Sequence, residues 1–300
     1  MFEHIHIIGS GALGSVITAL IQQRLDDDLS TLTRHIRSSN VTSVDLLGSD
    51  TVTLNTLNNV WNDSGNTLVI LPVKSFQIMP ALREYADNFP QQATLLLLHN
   101  GMLDVSKLAH YASRYRCFIA TTTMGAYKPD ATHAIQTGIG NTVIGSYQAN
   151  ISDKEKDKVT AWYNKHISDA VYTEQLAQAL WQKLSINALI NPLTALHDIT
   201  NGRLVAPTYR EHLNHLAVEV AAVMNAEGLE ASANELVDNA IAVAEATAKN
   251  FSSMHQDFHH GRPTEINEIN GYIIAQAEKH GLPHEQLSID MQKILQAGKK

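Results

Sequence analysis

The stretch His4-Ile5-His6-Ile7-Ile8-Gly9-Ser10-Gly11-Ala12-Leu13-Gly14-Ser15 decides how the rest of the chain is read. His4–Ile8 is a short apolar run and a strand candidate, residues 9–14 form a GxGxxG turn, and residues 15–23 have the composition of a helix. In a strand–turn–helix unit the first glycine permits a tight turn. The second lets the backbone approach a pyrophosphate, and the third lets the helix pack closely on the strand. The helix N-terminus then offers unpaired amides and a partial positive charge to the phosphates. The bare motif is weak evidence. Its place between a strand and a helix favours a dinucleotide site over a merely structural turn, with Gly9, Ser10, Gly11, Ala12, Leu13 and Gly14 as the cofactor-binding residues.

Residues 5–21 are apolar enough to suggest a signal peptide or a membrane helix. Only Glu3 and His4 precede the run where a signal peptide needs positive charge. The run also falls short of the roughly 20 residues that span a bilayer, and glycines interrupt it.

Outward from this unit, short apolar runs alternate with amphipathic ones. Strands are expected at 29–33, 67–73, 94–99 and 117–123, with a helix at 76–85. The runs TLVILPV at 67–73 and TLLLLH at 94–99 are continuously apolar, as in strands buried on both faces. Such alternation implies crossover connections and a mostly parallel sheet. Runs at 134–138 and 141–145 flank a glycine-containing turn and predict a hairpin closing this half. Beyond a charged amphipathic helix at 154–166, long helical patterns take over at 174–189, 211–226, 233–250 and 263–280. The last has Pro263 near its start, an Ile266/Ile269/Ile273/Ala277 stripe, Gly281 after its end and Pro283 beyond. The chain is therefore read as α/β, an N-terminal Rossmann-type dinucleotide-binding domain over 1–168 followed by an all-α C-terminal domain over 169–300.

Composition bounds the function. The 300 residues are 44% hydrophobic and 17% charged, which supports a real core and argues against disorder. A net charge of −8 disfavours a protein that holds nucleic acid by bulk charge. The single cysteine, Cys117, cannot form an internal disulfide and suits a reducing, cytoplasmic home; it opens an apolar run and reads as core packing. A small-molecule substrate is expected, with no nucleic acid or membrane partner. A monomer and a homodimer both fit.

The rule for NAD places an acid about 20 residues past the glycine loop, at the end of the second strand. Here that place holds Thr33-Arg34-His35, while Asp26, Asp27 and Asp28 precede the strand and read as a solvated turn. A guanidinium there suits a 2′-phosphate, because Arg binds phosphate bidentately. NADP(H) is therefore favoured; the alternative is that Arg34 is an ordinary surface arginine.

In the helical half, Lys183, Asn187 and Asn191 recur every four residues and share one helix face. Pro192 follows and should kink or end that helix. The flanks are apolar, and burial lowers a lysine's pKa, which would suit a proton donor near neutral pH. A snorkelling lysine beside two capping asparagines is the bland alternative. Glu265 falls in the first turn of the helix expected from Pro263, where charge complementarity alone would favour a carboxylate. Ser252-Ser253 is a helix cap or an anion contact. His255, His259 and His260 suggest a metal site, because two imidazoles at i and i+4 can share an ion, but beyond Asp257 no clear third ligand is evident, and among 15 histidines clustering by chance is expected. No metal is assigned.

Taken together, these motifs resemble the ketopantoate reductase (2-dehydropantoate 2-reductase) family nearly end to end. The resemblance is carried by GSGALG at 9–14, Val73-Lys74, His99-Asn100-Gly101, Thr121-Thr122-Thr123 and the glycines of 140–145. Most specific are KLSINALINPLT at 183–194, SSMHQD at 252–257 and RPTEINEING at 262–271. The resemblance implies hydride transfer from NADPH to the 2-keto carbon of ketopantoate, giving pantoate for pantothenate and coenzyme A synthesis. It implies Lys183 as proton donor and Glu265 fixing substrate and lysine. By the same resemblance Asn187 and Asn191 hold the substrate's hydroxyl end and Ser253 its carboxylate. Asn100 would sit between cofactor ribose and substrate, and Lys74 with Arg34 would help hold NADPH. Leu103 departs from the pattern, standing where many members have glycine. The alternatives are a reductase of another 2-oxo acid on the same scaffold and a non-catalytic NADP(H)-binding sensor, which would not need Lys183 or Glu265.

Overall fold

The computed structural model describes residues 2–25, 31–36, 41–55, 61 and 66–298. The acidic turn expected at Asp26, Asp27 and Asp28, and the start of the second strand at Leu29, lie outside the described residues. The chain divides into two compact units. The first is Met1–His99 with Asp104–Leu176, and the second is Asn100–Leu103 with Ala177–Lys300.

In the first unit the elements run β1 (His4–Ile8), α1 (Ala12–Arg24), β2 (Thr31–His35), β3 (Ser43–Asp45), β4 (Val52–Thr53), β5 (Thr67–Leu71), α2 (Ser75–Tyr85), β6 (Thr94–Leu98), α3 (Ala109–Ala112) and β7 (Arg116–Thr122). They continue with β8 (Gly125–Tyr127), β9 (His133–Gly138), β10 (Thr142–Ser146), α4 (Asp153–His166) and β11 (Ala170–Tyr172). A seven-stranded sheet has the order β11-β10-β7-β6-β5-β1-β2, parallel except where β10 meets β7. Every residue of β5 and β6 is buried, the two-faced burial that their unbroken apolar sequences require. From β1 the chain goes outward to β2 and later returns to β5 on the other side of β1. That reversal opens a crevice at the carboxyl ends of β1 and β5, the place where such sheets bind nucleotides.

The hairpin expected between 134–138 and 141–145 does not form. β9 joins a separate four-stranded sheet of order β4-β3-β9-β8, while β10 pairs antiparallel with β7 in the large sheet. The glycine turn is a crossing between sheets. Gly140 has φ 62, and a Cβ there would overlap Met124 of the incoming chain. Thr123 N donates to Asn141 O and Asn141 N to Thr123 Oγ1, each at 2.9 Å, tying the two crossings together.

Helix α1 lies between the two sheets, against β1 and β2 on one side and β3, β8 and β9 on the other. Residues 14–21 are all buried, so the helix is apolar all round and looks membrane-like in sequence while being core. No helix among the described residues is long and apolar enough to cross a membrane.

The second unit contains α5 (Leu176–His197), α6 (Arg210–Ala226), α7 (Ala233–Ala246), α8 (Ser253–His259), a π-turn (Asn267–Gly271) leading into α9 (Tyr272–His280), and α10 (Glu285–Ala297). Leu184, Leu189, Leu193, Leu216, Val220, Val237, Ile273 and Leu287 form its core. Pro192 does not end α5. The helix continues through buried Leu193, Thr194 and Ala195, and Thr194 Oγ1 bonds back to Ile190 O and Asn191 O at 3.0 Å each. Packing of this apolar segment outweighs the one backbone hydrogen bond that proline removes. The helix expected from Pro263 begins only after Glu265, whose carbonyl accepts from Ile269 N at 3.0 Å.

Candidate active site

The glycine loop has the geometry a pyrophosphate needs. Gly9, directly after β1, has φ 134, and a Cβ there would lie 2.6 Å from Val73 Cγ1. A Cβ on Gly14 would lie 2.5 Å from Gly9 O, so helix and turn are in backbone contact there. Gly11 is the opposite case. It is exposed, and no described atom comes within 4 Å of where its Cβ would be. As the N-cap of α1 it has no side chain with which to cap the first amides of the helix. Ser10, Ala12 and Leu13 complete this open rim, each partly exposed. The cradle fits a dinucleotide phosphate.

Arg34 is no ordinary surface arginine. It is 2% exposed on β2, and both terminal nitrogens donate to Val41 O, at 3.2 and 3.3 Å. Burial pulls its pKa below the usual guanidinium value, and Nε has no partner among the described residues. Lys74, half-buried, is the N-cap of α2, and its backbone N donates to Gln77 Oε1 at 3.3 Å.

In the second unit, α5 carries Lys183, Asn187 and Asn191 on one face, successive Cα atoms rising about 6 Å. Burial pulls the Lys183 ammonium down to about 8, against the opposing attraction of Glu265. Lys183 and Asn187 are half-buried and Asn191 is buried. Glu265 is buried, and Asn100 Nδ2 donates to its Oε2 at 3.5 Å. Asn100 reaches it because residues 100–103 pack against the segment after Glu265. Met102 N donates to Glu268 O at 2.9 Å, and Gly101 has φ 68 with its would-be Cβ 2.8 Å from the same oxygen. Leu103 is half-buried in this loop. Glu268, absent from the sequence-level candidates, is half-buried with its pKa raised, by burial first and by Glu265 in addition. Only the turn that follows Glu265 reveals it.

The two serines divide their roles. Buried Ser252 caps α8, accepting from His255 N at 3.1 Å, and its Oγ lies 2.7 Å from Thr194 Oγ1 on α5. Exposed Ser253 is the first residue of α8, joined through that link to the stretch of α5 just past Asn191. Asp257 bonds to Arg262 Nε at 3.1 Å and does not join the histidines. Instead His255 Nε2 meets Asp198, a residue that no spacing rule connects to it. Cys117 is fully buried, and burial pushes its thiol up to about 12, as fits a packing role.

Residues 5–149 match the family model described as "Ketopantoate reductase PanE/ApbA", and residues 175–291 match "Ketopantoate reductase PanE/ApbA C terminal". The chain is 38% identical over 215 residues to the 2-dehydropantoate 2-reductase of Vibrio cholerae, covering 72% of each chain. Among solved structures, 2-dehydropantoate 2-reductase from Geobacter metallireducens has a TM-score of 0.84 at 23% identity, covering 98% of this chain and 99% of that one. A ternary structure of D-mandelate dehydrogenase with NADH and anilino(oxo)acetate has a TM-score of 0.87 at 18% identity, covering 99% and 98%; at these identities the structural likenesses speak for the fold. With both halves matched and a close sequence relative in hand, the chain belongs to the ketopantoate reductase family.

Proposed function

We propose that this protein is an NADPH-dependent 2-dehydropantoate 2-reductase that makes pantoate for pantothenate and coenzyme A synthesis in the cytoplasm. Its first unit, which runs past residue 168 through β11 to Leu176, holds the cofactor, and its helical unit carries the proton chemistry. The carrying observation is Lys183, an ammonium drawn down to about 8 by burial, attracted by buried Glu265 and sharing a helix face with Asn187 and Asn191. Bound NADPH supplies the hydride to the 2-oxo carbon. Negative charge then develops on the carbonyl oxygen, and the preorganised Lys183 ammonium stabilises it there and donates a proton from Nζ. Glu265 keeps the lysine charged and, with Asn100, sets its position. Asn187 and Asn191 orient the substrate's hydroxyl, and Ser253 its carboxylate. Gly9, Ser10, Gly11, Ala12, Leu13 and Gly14 seat the pyrophosphate, while Arg34 and Lys74 hold the phosphate that distinguishes NADPH from NADH.

The test is a panel of 2-oxo acids, mandelate-type aromatic ones included, assayed with both reduced cofactors by loss of their absorbance. Fast turnover of 2-dehydropantoate with NADPH, and much slower with NADH, is expected. Preference for another 2-oxo acid would overturn the substrate and keep the class. Tight NADPH binding with no turnover on any of them would point to a sensor instead.

A further inference from the structure

Asp198, His255 and His259 converge on one point of the second unit, and the reaction above uses none of them. Asp198 terminates α5. Its φ of 51 lies in the left-handed region, and Ile199 N bonds back to Thr194 O at 3.2 Å, the closing bond of a Schellman-type helix end. This turn presents the carboxylate to α8. There Asp198 Oδ1 lies 2.8 Å from His255 Nε2 and 3.5 Å from His259 Nε2. The two imidazoles, one helical turn apart, have ring centroids 4.3 Å from each other, and one ligand atom from each of the three residues falls within 4.8 Å of the others. Ligands about 2.0–2.1 Å from a tetrahedral ion stand roughly 3.3–3.4 Å apart, so modest side-chain rotation closes the set.

The site is also built for entry and for direction. His255 is 6% exposed, stacked on Phe251 at 4.1 Å, with its backbone N held by Ser252 Oγ, which fixes where Nε2 points. Asp198 and His259 have side chains 70% and 34% exposed, leaving a path from solvent. Two imidazole nitrogens and one carboxylate oxygen suit a borderline first-row dication. Magnesium and calcium prefer oxygen donors.

We infer that Asp198 Oδ1, His255 Nε2 and His259 Nε2 form a binding site for a divalent transition ion of the zinc type, with a fourth position open to water. His259 Nε2 lies 3.2 Å from Ala195 O, so any proton it donates there leaves on ligation. The bound ion fastens the end of α5 to α8, beside the existing link between Thr194 and Ser252. It thereby ties together the two helices that carry Asn187, Asn191 and Ser253.

Untagged, chelator-stripped full-length protein is titrated with Co2+, followed by its visible d–d absorption, and its thermal unfolding is measured with and without Zn2+. One equivalent of Co2+ with the intense spectrum of a low-coordinate nitrogen–oxygen site is expected, together with a higher Tm in Zn2+. His259→Ala and Asp198→Asn should each weaken binding by about tenfold or more and abolish the Tm gain. Both positions are partly exposed, and Asn tolerates the left-handed backbone, so both variants should fold. His260→Ala should bind like the wild type, because His260 Nδ1 turns away to Gln256 O at 2.6 Å. Absence of the spectrum overturns the site. So does unchanged binding in His259→Ala and Asp198→Asn, which would place the ion elsewhere among the 15 histidines. Neither readout depends on turnover, so the outcome is independent of the substrate assignment.

Discussion

Asn100 and Glu265, 165 residues apart in sequence, share a hydrogen bond from Nδ2 to Oε2. At 3.5 Å it is a long bond, and the backbone bond from Met102 N to Glu268 O beside it holds the loop in place. Asn100→Ala should lower kcat/KM about tenfold, the scale of one lost hydrogen bond to a charged group. Asn100→Asp sets a second carboxylate against Glu265. It should lose more at neutral pH and recover part of the loss as pH falls, which a pH series of initial rates would reveal.

Lys183→Ala should reduce turnover by about 10²–10⁴, the usual contribution of a general acid, with NADPH affinity by fluorescence nearly unchanged. The pH dependence has a definite sign. The donor is charged below its lowered pKa of about 8, so kcat should hold below that pH and fall above it. Glu265 raises the lysine pKa, so Glu265→Gln should move the falling limb to lower pH. A limb that stays put or moves up would remove Glu265 from this role.

Gly11 and Gly14 should separate binding from folding. Gly11→Ala adds a methyl group into open space, so it should leave Tm unchanged while weakening NADPH binding. Gly14→Ala forces a methyl group to within 2.5 Å of Gly9 O and should cost about 1–3 kcal/mol of stability. Thermal melts beside cofactor titrations measure both.

Arg34→Gln should narrow the preference for NADPH over NADH by about ten- to a hundredfold, the range for hydrogen bonds to a charged group. The ratio of the two kcat/KM values is the proper readout. Stability also changes here, because Val41 O loses its guanidinium partner, but that loss affects both cofactors alike.

Ser252→Ala removes a helix cap and the link to Thr194, and should lower stability by about 1–2 kcal/mol in denaturant melts. Ser253→Ala, at an exposed position, should leave the melt unchanged and raise KM for the 2-oxo acid. A stable Ser252→Ala would show that the cap matters little.

The large elements were legible because period and glycine placement act locally. The glycine turn at 9–14, buried β5 and β6, and the α5 face bearing Lys183, Asn187 and Asn191 all follow from neighbours within a few residues. Pairing was not legible. The runs that form β9 and β10 carry β patterns without saying which sheet each joins, and the crossing at Gly140 depends on Met124 in the link between β7 and β8. Pro192 does not end the helix for a related reason: the local stop gives way to tertiary burial of Leu193 and Thr194. Asp198 is not legible as a partner of His255 because 57 residues separate them, whereas nearby Asp257 is engaged with Arg262. The position of Glu265 is legible in the sequence, but its bond to Asn100 is a property of the folded loop alone.

Residues 100–103 belong to the second unit, although the chain on both sides of them belongs to the first. The chain passes between units at His99/Asn100, again at Leu103/Asp104 and finally at Leu176/Ala177. Neither unit is therefore a contiguous piece of gene. A fragment cut at residue 177 would carry Lys183 and Glu265 but leave Met102, Gly101 and Asn100 behind, stripping the amide partner from Glu268 O and the donor from Glu265. Recombination that exchanged the helical half at a single breakpoint would transplant an incomplete site. The helical site thus depends on a short segment encoded within the first half of the chain.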